Sequence, residues 1–221
     1  MSAFTRLEVF HKIMDHPLVP EFFHSDIRIC RRVAEACYTG GARAFSLAVS
    51  GDAGWQVFSD LLPLLRIDFP DMATGVAGLT DAASASLYIQ AGADFIISPL
   101  VDEDMARVCN RRKVAWIPGA ATARETGMAE ELGAELVLMP AGQVPGPPAL
   151  ASIRSSSPWT RIMVSGAIEP DAGHLLPWFQ AGAAGAVLGS GLFSGRLEGA
   201  TGFDEISLIL RDCFGICAAY R

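Results

Sequence analysis

Lysine is nearly missing from this chain. Lys12 and Lys113 are the only two in 221 residues, so chemistry that needs a side-chain amine has very few candidates. Long apolar runs are missing too. None approaches the ~18 residues that cross a bilayer, which argues against a membrane-spanning helix. The opening stretch, MSAFTRLEVFHKIMDHP, mixes charges and apolar groups at helical spacing and lacks the unbroken apolar core of a secretory leader. A cytoplasmic protein is expected. The five cysteines are odd in number and include no CxxC pair. Cys30 and Cys37 share a helical face, as do Cys213 and Cys217, so buried free thiols are expected rather than disulfides or a zinc site. A net charge of -7 leaves little attraction for nucleic acid or an anionic membrane. It leaves room for a local anion site made of backbone N–H groups.

What is present is enough apolar residue to bury a full core: 51% of the chain is hydrophobic and 19% charged, as one large α/β domain requires. Short apolar runs alternate with amphipathic segments. Strands are expected at 18–23, 43–49, 72–77, 94–98, 114–117, 135–139, 161–165 and 185–188. Most are apolar almost throughout, the pattern of parallel strands covered on both faces. Helices are expected at 26–39, 52–67, 80–91, 102–111, 122–132, 147–154, 170–181 and 203–219. Ser25 or Asp26, Thr80-Asp81 and Thr122 give start signals, and Glu125 completes a capping box. Turns such as TGGAR, QAGAD and ELGAE supply left-handed glycine stops just before the next strand.

Eight such units predict a single (β/α)8 barrel over residues 1–221. The alternative is a doubly wound open sheet, for which the opening GxGxxG is absent. Residues 4–16 are expected to form an extra helix covering the bottom of the barrel.

Sites of this architecture lie at the C-terminal ends of the strands. The last two ends, VSGAI and LGSGLF, carry the clearest signal. Gly166, Ala167, Gly189 and Ser190 would let backbone N–H groups converge on a phosphate, although glycines there also simply make tight turns. Pocket walls are expected from Ser50, Ala77, Pro118, Met139, Pro140 and Ser165. Glu21 lies in an apolar strand. An outward carboxylate paired with a helix is the expectation there, and an inward one with a raised pKa, able to act as a base, is the alternative. His24, at the end of the same strand, is a weak general base or a solvated loop residue. Asp52 reads as a helix cap, Ser98 as a turn residue, and Gln143 as a possible hydrogen-bond partner of a ligand. No convergent carboxylates or histidines suggest a metal, and no cofactor is implied.

The framework LVPEFFHSD, GGARAFSL, AGADFIISP, WIPGAAT, GAELVLMPAGQV, IMVSGAI and VLGSGLF resembles the 2-keto-3-deoxy-6-phosphogluconate and 4-hydroxy-2-oxoglutarate (KDPG/KHG) aldolases. The stretches VCNRRK, SLYIQAGA and SPWTRIM are similar to the longer bifunctional aldolases of Bacteroidetes-type bacteria. The resemblance implies a trimeric barrel that cleaves a 2-keto acid through a Schiff base on a strand-six lysine, with a strand-two glutamate moving protons. Carried over residue by residue, the glutamate falls on Ser46, the following arginine on Ser50 and the strand-three threonine near Ala77. The strand-seven threonine falls on Ser165. Counted back from the strand-six proline, the lysine falls on Val137 or in a one-residue gap there. Lys113 opens strand five and Lys12 precedes strand one, both at the opposite mouth. The expectation is therefore a family member without imine chemistry that binds a phosphorylated or 2-keto acid metabolite. The alternatives are an aldolase working by another route, with Glu21 or His24 as base, and a family-type aldolase.

Overall fold

The computed structural model describes residues 1–49, 53–144, 146–197 and 201–220, with the side chain of Gln143 outside that set. Eight strands run parallel: β1 Leu18–Phe22, β2 Ala44–Ala48, β3 Ala73–Ala77, β4 Phe95–Ser98, β5 Ala115–Pro118, β6 Val137–Pro140, β7 Ile162–Ser165 and β8 Gly185–Leu188. Their order is β5-β4-β3-β2-β1-β8-β7-β6. The ring closes through a parallel bridge between Gly119 and Leu138, and Ala120 donates to the Leu138 carbonyl at 2.9 Å. The molecule is a (β/α)8 barrel.

The helices are α1 Arg6–Asp15, α2 Ile27–Thr39, α3 Ala53–Asp68, α4 Ala82–Ala91, α5 Glu103–Arg112, α6 Ala123–Glu131, α7 Pro147–Ser156, α8 Ala172–Gln180, α9 Ser190–Phe193 and α10 Gly202–Ala218. Asp26, Asp81 and Thr122 are N-caps, and the Thr122–Glu125 capping box forms. The sequence pattern did not reveal α9 or the 3-10 turn Ala141–Gln143, because four and three residues are too few for an apolar face to recur at helical spacing. All five cysteines are buried free thiols. Burial pushes the thiols of Cys109 and Cys213 up to about 12.

Strand alternation sorts the apolar residues into two cores. Val19, Ala44, Phe95, Ile97, Leu138 and Val187 are among those packed inside the barrel. Phe22, Phe45, Leu47, Val76, Val137 and Met139 pack outward against the helices. The interior is tight. A Cβ on Gly75 of β3 would overlap the Phe95 ring, so glycine there makes room for a large plug one strand away.

Helix α1 closes the bottom. Val9 and Ile13 are fully buried in the barrel core. The Arg6 side chain ties α1 to Glu135, to Asn110 at 2.8 Å and to the Gly133 carbonyl at 3.1 Å. Asp94, just before β4, accepts from the backbone N–H groups of Ala3 (2.6 Å) and Thr74 (2.9 Å). Among the described residues, no helix is long and apolar enough to cross a membrane.

Candidate functional site

At the opposite end, the C-terminal ends of the strands surround a cavity of about 430 Å³, within the size range of small-molecule sites. Its strand walls include Glu21, Ala77, Ile97, Ser98, Leu138 and Val187. Its rim is made by Pro140, by the loop Ser165–Glu169 and by Gly189–Gly191. Gly166, Ala167, Gly189, Ser190, Ala77, Pro140 and Ser165 all line this cavity. Gly166 and Ala167 have φ values of 70° and 52°. The left-handed pair turns the chain sharply, and in Ala167, which is not a glycine, it costs on the order of 1 kcal/mol or more.

Three assignments are corrected. Val137 is buried outward, in the layer between barrel and helices, so a side chain there cannot reach the cavity. The inward position of β6 is Leu138, and counting back from a proline missed it by one residue, which in a strand flips the face. Met139 also points outward and is fully buried. Pro118 is buried in β5, and the next residue, Gly119, lines the cavity instead.

Glu21 is the fourth correction, because its carboxyl points inward. It lines the cavity and also a second, more apolar recess beside Phe22 and Phe193. Among the described residues no ion pair or hydrogen bond holds its carboxyl, and burial pushes its pKa above the ordinary carboxylate range. A group that prefers its neutral form when folded adds stability below the unfolded pKa, about 4.3 for glutamate, and loses it as pH rises through the raised value. The stability of Glu21→Gln minus that of the native chain is therefore expected to increase as pH rises from about 4. Thermal denaturation across a pH series checks this, and a flat difference would remove the burial argument.

Ser46 pairs with Glu21 in the β1–β2 register. It is fully buried, and its hydroxyl has no partner. Ser98 lines the cavity, but its Oγ is committed: it donates to the Leu100 carbonyl at 2.8 Å and accepts from Trp116 Nε1 at 3.0 Å. His24 lines neither cavity; its Nδ1 accepts from the Asp26 N–H at 2.9 Å at the entry of α2. Ser50, Asp52 and the Gln143 side chain lie outside the described residues.

Sequence reasoning missed Glu169. Its carboxylate rests on the backbone of Gly191, where an added Cβ would collide with Oε2. No periodicity could have found it, because the preceding left-handed turn decides where this loop residue reaches.

Both lysines sit far from this mouth. Lys12 Nζ donates to the Asp71 carbonyl at 2.7 Å and lies over the Phe4 ring. Lys113 caps the C-terminus of α5, and its carbonyl accepts from Arg6 N–H. The cavity is lined by no Lys, Arg or His among the described residues, and there no three His, Cys, Asp or Glu side chains converge as metal ligands.

Fold and cavity together define a (β/α)8 barrel with a small-molecule mouth. Residues 9–209 match the model of the KDPG and KHG aldolases, and the chain belongs to that family. It is 24% identical over 155 residues to the 2-dehydro-3-deoxy-phosphogluconate aldolase of Zymomonas mobilis subsp. mobilis, covering 70% of this chain and 72% of that one. Two solved structures share the fold. The 2-keto-3-deoxy-6-phosphogluconate aldolase of Zymomonas mobilis ZM4 with 3-phosphoglycerate gives a TM-score of 0.78 at 19% identity, over 94% of this chain and 95% of that one. The Legionella pneumophila KDPG aldolase, with pyruvate captured as a covalent carbinolamine, gives 0.79 at 19%, over 91% and 95%.

Proposed function

We propose that this barrel is a family member that has kept the mouth as a small-metabolite site and lost imine chemistry. One observation carries the reading: the cavity-facing position of β6 is Leu138, and both lysines are at the far end of the barrel. A carbinolamine such as the Legionella relative holds requires an amine at the carbonyl. Imine catalysis needs that amine unprotonated and close, and arginine stays charged and cannot substitute. With Ser46 where the resemblance puts the proton-moving glutamate, the covalent catalyst and its base are both absent. The ligand expected from the sequence is phosphorylated or a 2-keto acid. It would meet backbone donors around Gly166 and Gly189, and also the Glu21 and Glu169 carboxyls. Cytoplasmic residence and assembly as a homotrimer come with the family likeness and belong to the same proposal.

Pyruvate release from 2-keto-3-deoxy-6-phosphogluconate, followed by coupled reduction of the pyruvate, tests the reading. No release above background is expected, since removing a catalytic nucleophile and its base costs on the order of 10⁴-fold or more. Turnover within about tenfold of a typical enzyme's ~10 s⁻¹ would refute it.

The inward carboxyl of Glu21 favours a second reading, in which it serves as general base or acid for non-covalent chemistry. Loss of a measured turnover in Glu21→Gln, with binding retained, would establish it.

A further inference from the structure

The charges around the mouth point to a different ligand from the phosphorylated or 2-keto acid metabolite that the sequence suggested. Two carboxyl groups, Glu21 and Glu169, line the cavity, and no cationic side chain does so among the described residues. Arg196 follows α9 near the rim; its Nη1 donates to the carbonyls of Gly191 (2.9 Å) and Leu192 (3.0 Å), and it does not line the cavity.

Glu169 shares the rim with the glycine turns. Its carboxylate lies on Gly191, beside the glycine turns whose N–H groups a phosphate would use. A second anion there meets the like charge of Glu169, and among the described residues no cationic side chain lines the cavity to offset it, so the approach is unfavourable. Enolate-forming chemistry on a 2-keto acid is disfavoured in the same way, because among the described residues no cationic side chain lines the mouth to stabilise the developing negative charge.

The cavity does offer acceptors and hydroxyls. Among the described residues, Ser165 and Ser190 line it without hydrogen-bond partners for their side chains, and so does Glu21. An independent feature lies just beneath. In β2, Ala44 packs inside the barrel and Phe45 and Leu47 outside, so the Ser46 side chain is turned into the barrel. There it is level with Glu21, fully buried, with an unpartnered hydroxyl. A buried polar group without a partner costs free energy unless a ligand or water completes it.

We propose that the mouth takes a small polyhydroxylated compound, uncharged or bearing an ammonium group, and that Glu169 turns away phosphorylated and carboxylated ones. This rests on the reading of the mouth as a ligand site without imine chemistry. Hydroxyls would donate to the Glu21 and Glu169 carboxyls and exchange hydrogen bonds with Ser165 and Ser190, and an ammonium group would add charge pairing at the rim.

The test is an amide-resolved titration of the full chain, read at Gly166, Gly189 and Gly191, at low salt. The probes are glucose, glucosamine, inorganic phosphate and pyruvate. In the native chain, one or both sugars are expected to move these amides at concentrations where phosphate and pyruvate do not. In Glu169→Gln, phosphate should bind about threefold or more tighter than to the native chain, and the gain should shrink as salt screens the charge. Glu169 is exposed, so the variant is expected to fold, and Glu169→Ala repeats the measurement. Phosphate or pyruvate moving the native amides as strongly as those of Glu169→Gln would overturn the proposal, as would silence with both sugars or no gain in either variant. A borohydride-stable pyruvate adduct on the native chain would instead defeat the non-imine reading. That is a mass measurement, separate from the amide comparison.

Discussion

Leu138→Lys, incubated with pyruvate and reduced with borohydride, is expected to gain about one pyruvate-derived adduct per chain, where the native protein gains none. Leu138 is buried on the inner face of β6 and lines the cavity. An amine introduced there faces the mouth while its stem packs among apolar strand residues. Burial disfavours the ammonium form and lowers the lysine pKa, which is the activation that imine formation requires. The inward Glu21 carboxyl offers a group to take up or return the proton. Val137→Lys is the control one residue away. Its side chain would enter the layer between sheet and helices, costing on the order of 3 kcal/mol for an unpaired buried charge and giving no adduct. Intact-mass measurement reads both variants. An adduct on Val137→Lys and none on Leu138→Lys would mean that the facing of β6 is wrong.

The second large effect is on stability. Phe95→Ala is expected to cost about 3–5 kcal/mol, the range for removing a large aromatic side chain from a core, and to lower Tm by roughly 10 °C for a chain of this size. Phe95 is fully buried inside the barrel, two residues before the cavity-lining Ile97, and its ring covers Gly75. Removing it opens a void under the cavity floor. Gly75→Ala alone should destabilise by about 1–3 kcal/mol through overpacking. In the Phe95→Ala background the same change should cost little, because the methyl group then enters the void. Additive losses in that double-mutant cycle would contradict the described packing.

Much of this molecule was legible in its sequence. Eight apolar runs spaced by amphipathic segments gave the strands, and capping residues such as Thr122 and Asp81 marked helix starts where they occur. The lysines could be placed at the bottom because Lys12 and Lys113 both precede strands. Facing was the weak point. In ELVLM every residue after Glu135 is apolar, since both faces of a parallel strand are covered, so nothing in the pattern separates Val137 from Leu138. The same ambiguity hid the direction of Glu21, whose neighbours are apolar on either face. Glu169 was illegible for a different reason. Its place on Gly191 depends on two consecutive left-handed residues, one of them an alanine, and sequence alone gives little warning of that conformation outside glycine. Pattern thus located the mouth, and the side chains that give the mouth its chemistry needed the register.

The decisive measurement is the intact mass of the native chain after saturating pyruvate and borohydride. An unchanged mass, alongside a clear adduct on Leu138→Lys under the same conditions, is what a mouth without an amine predicts. A stoichiometric mass gain on the native chain, mapped to Lys12 or Lys113, would contradict it.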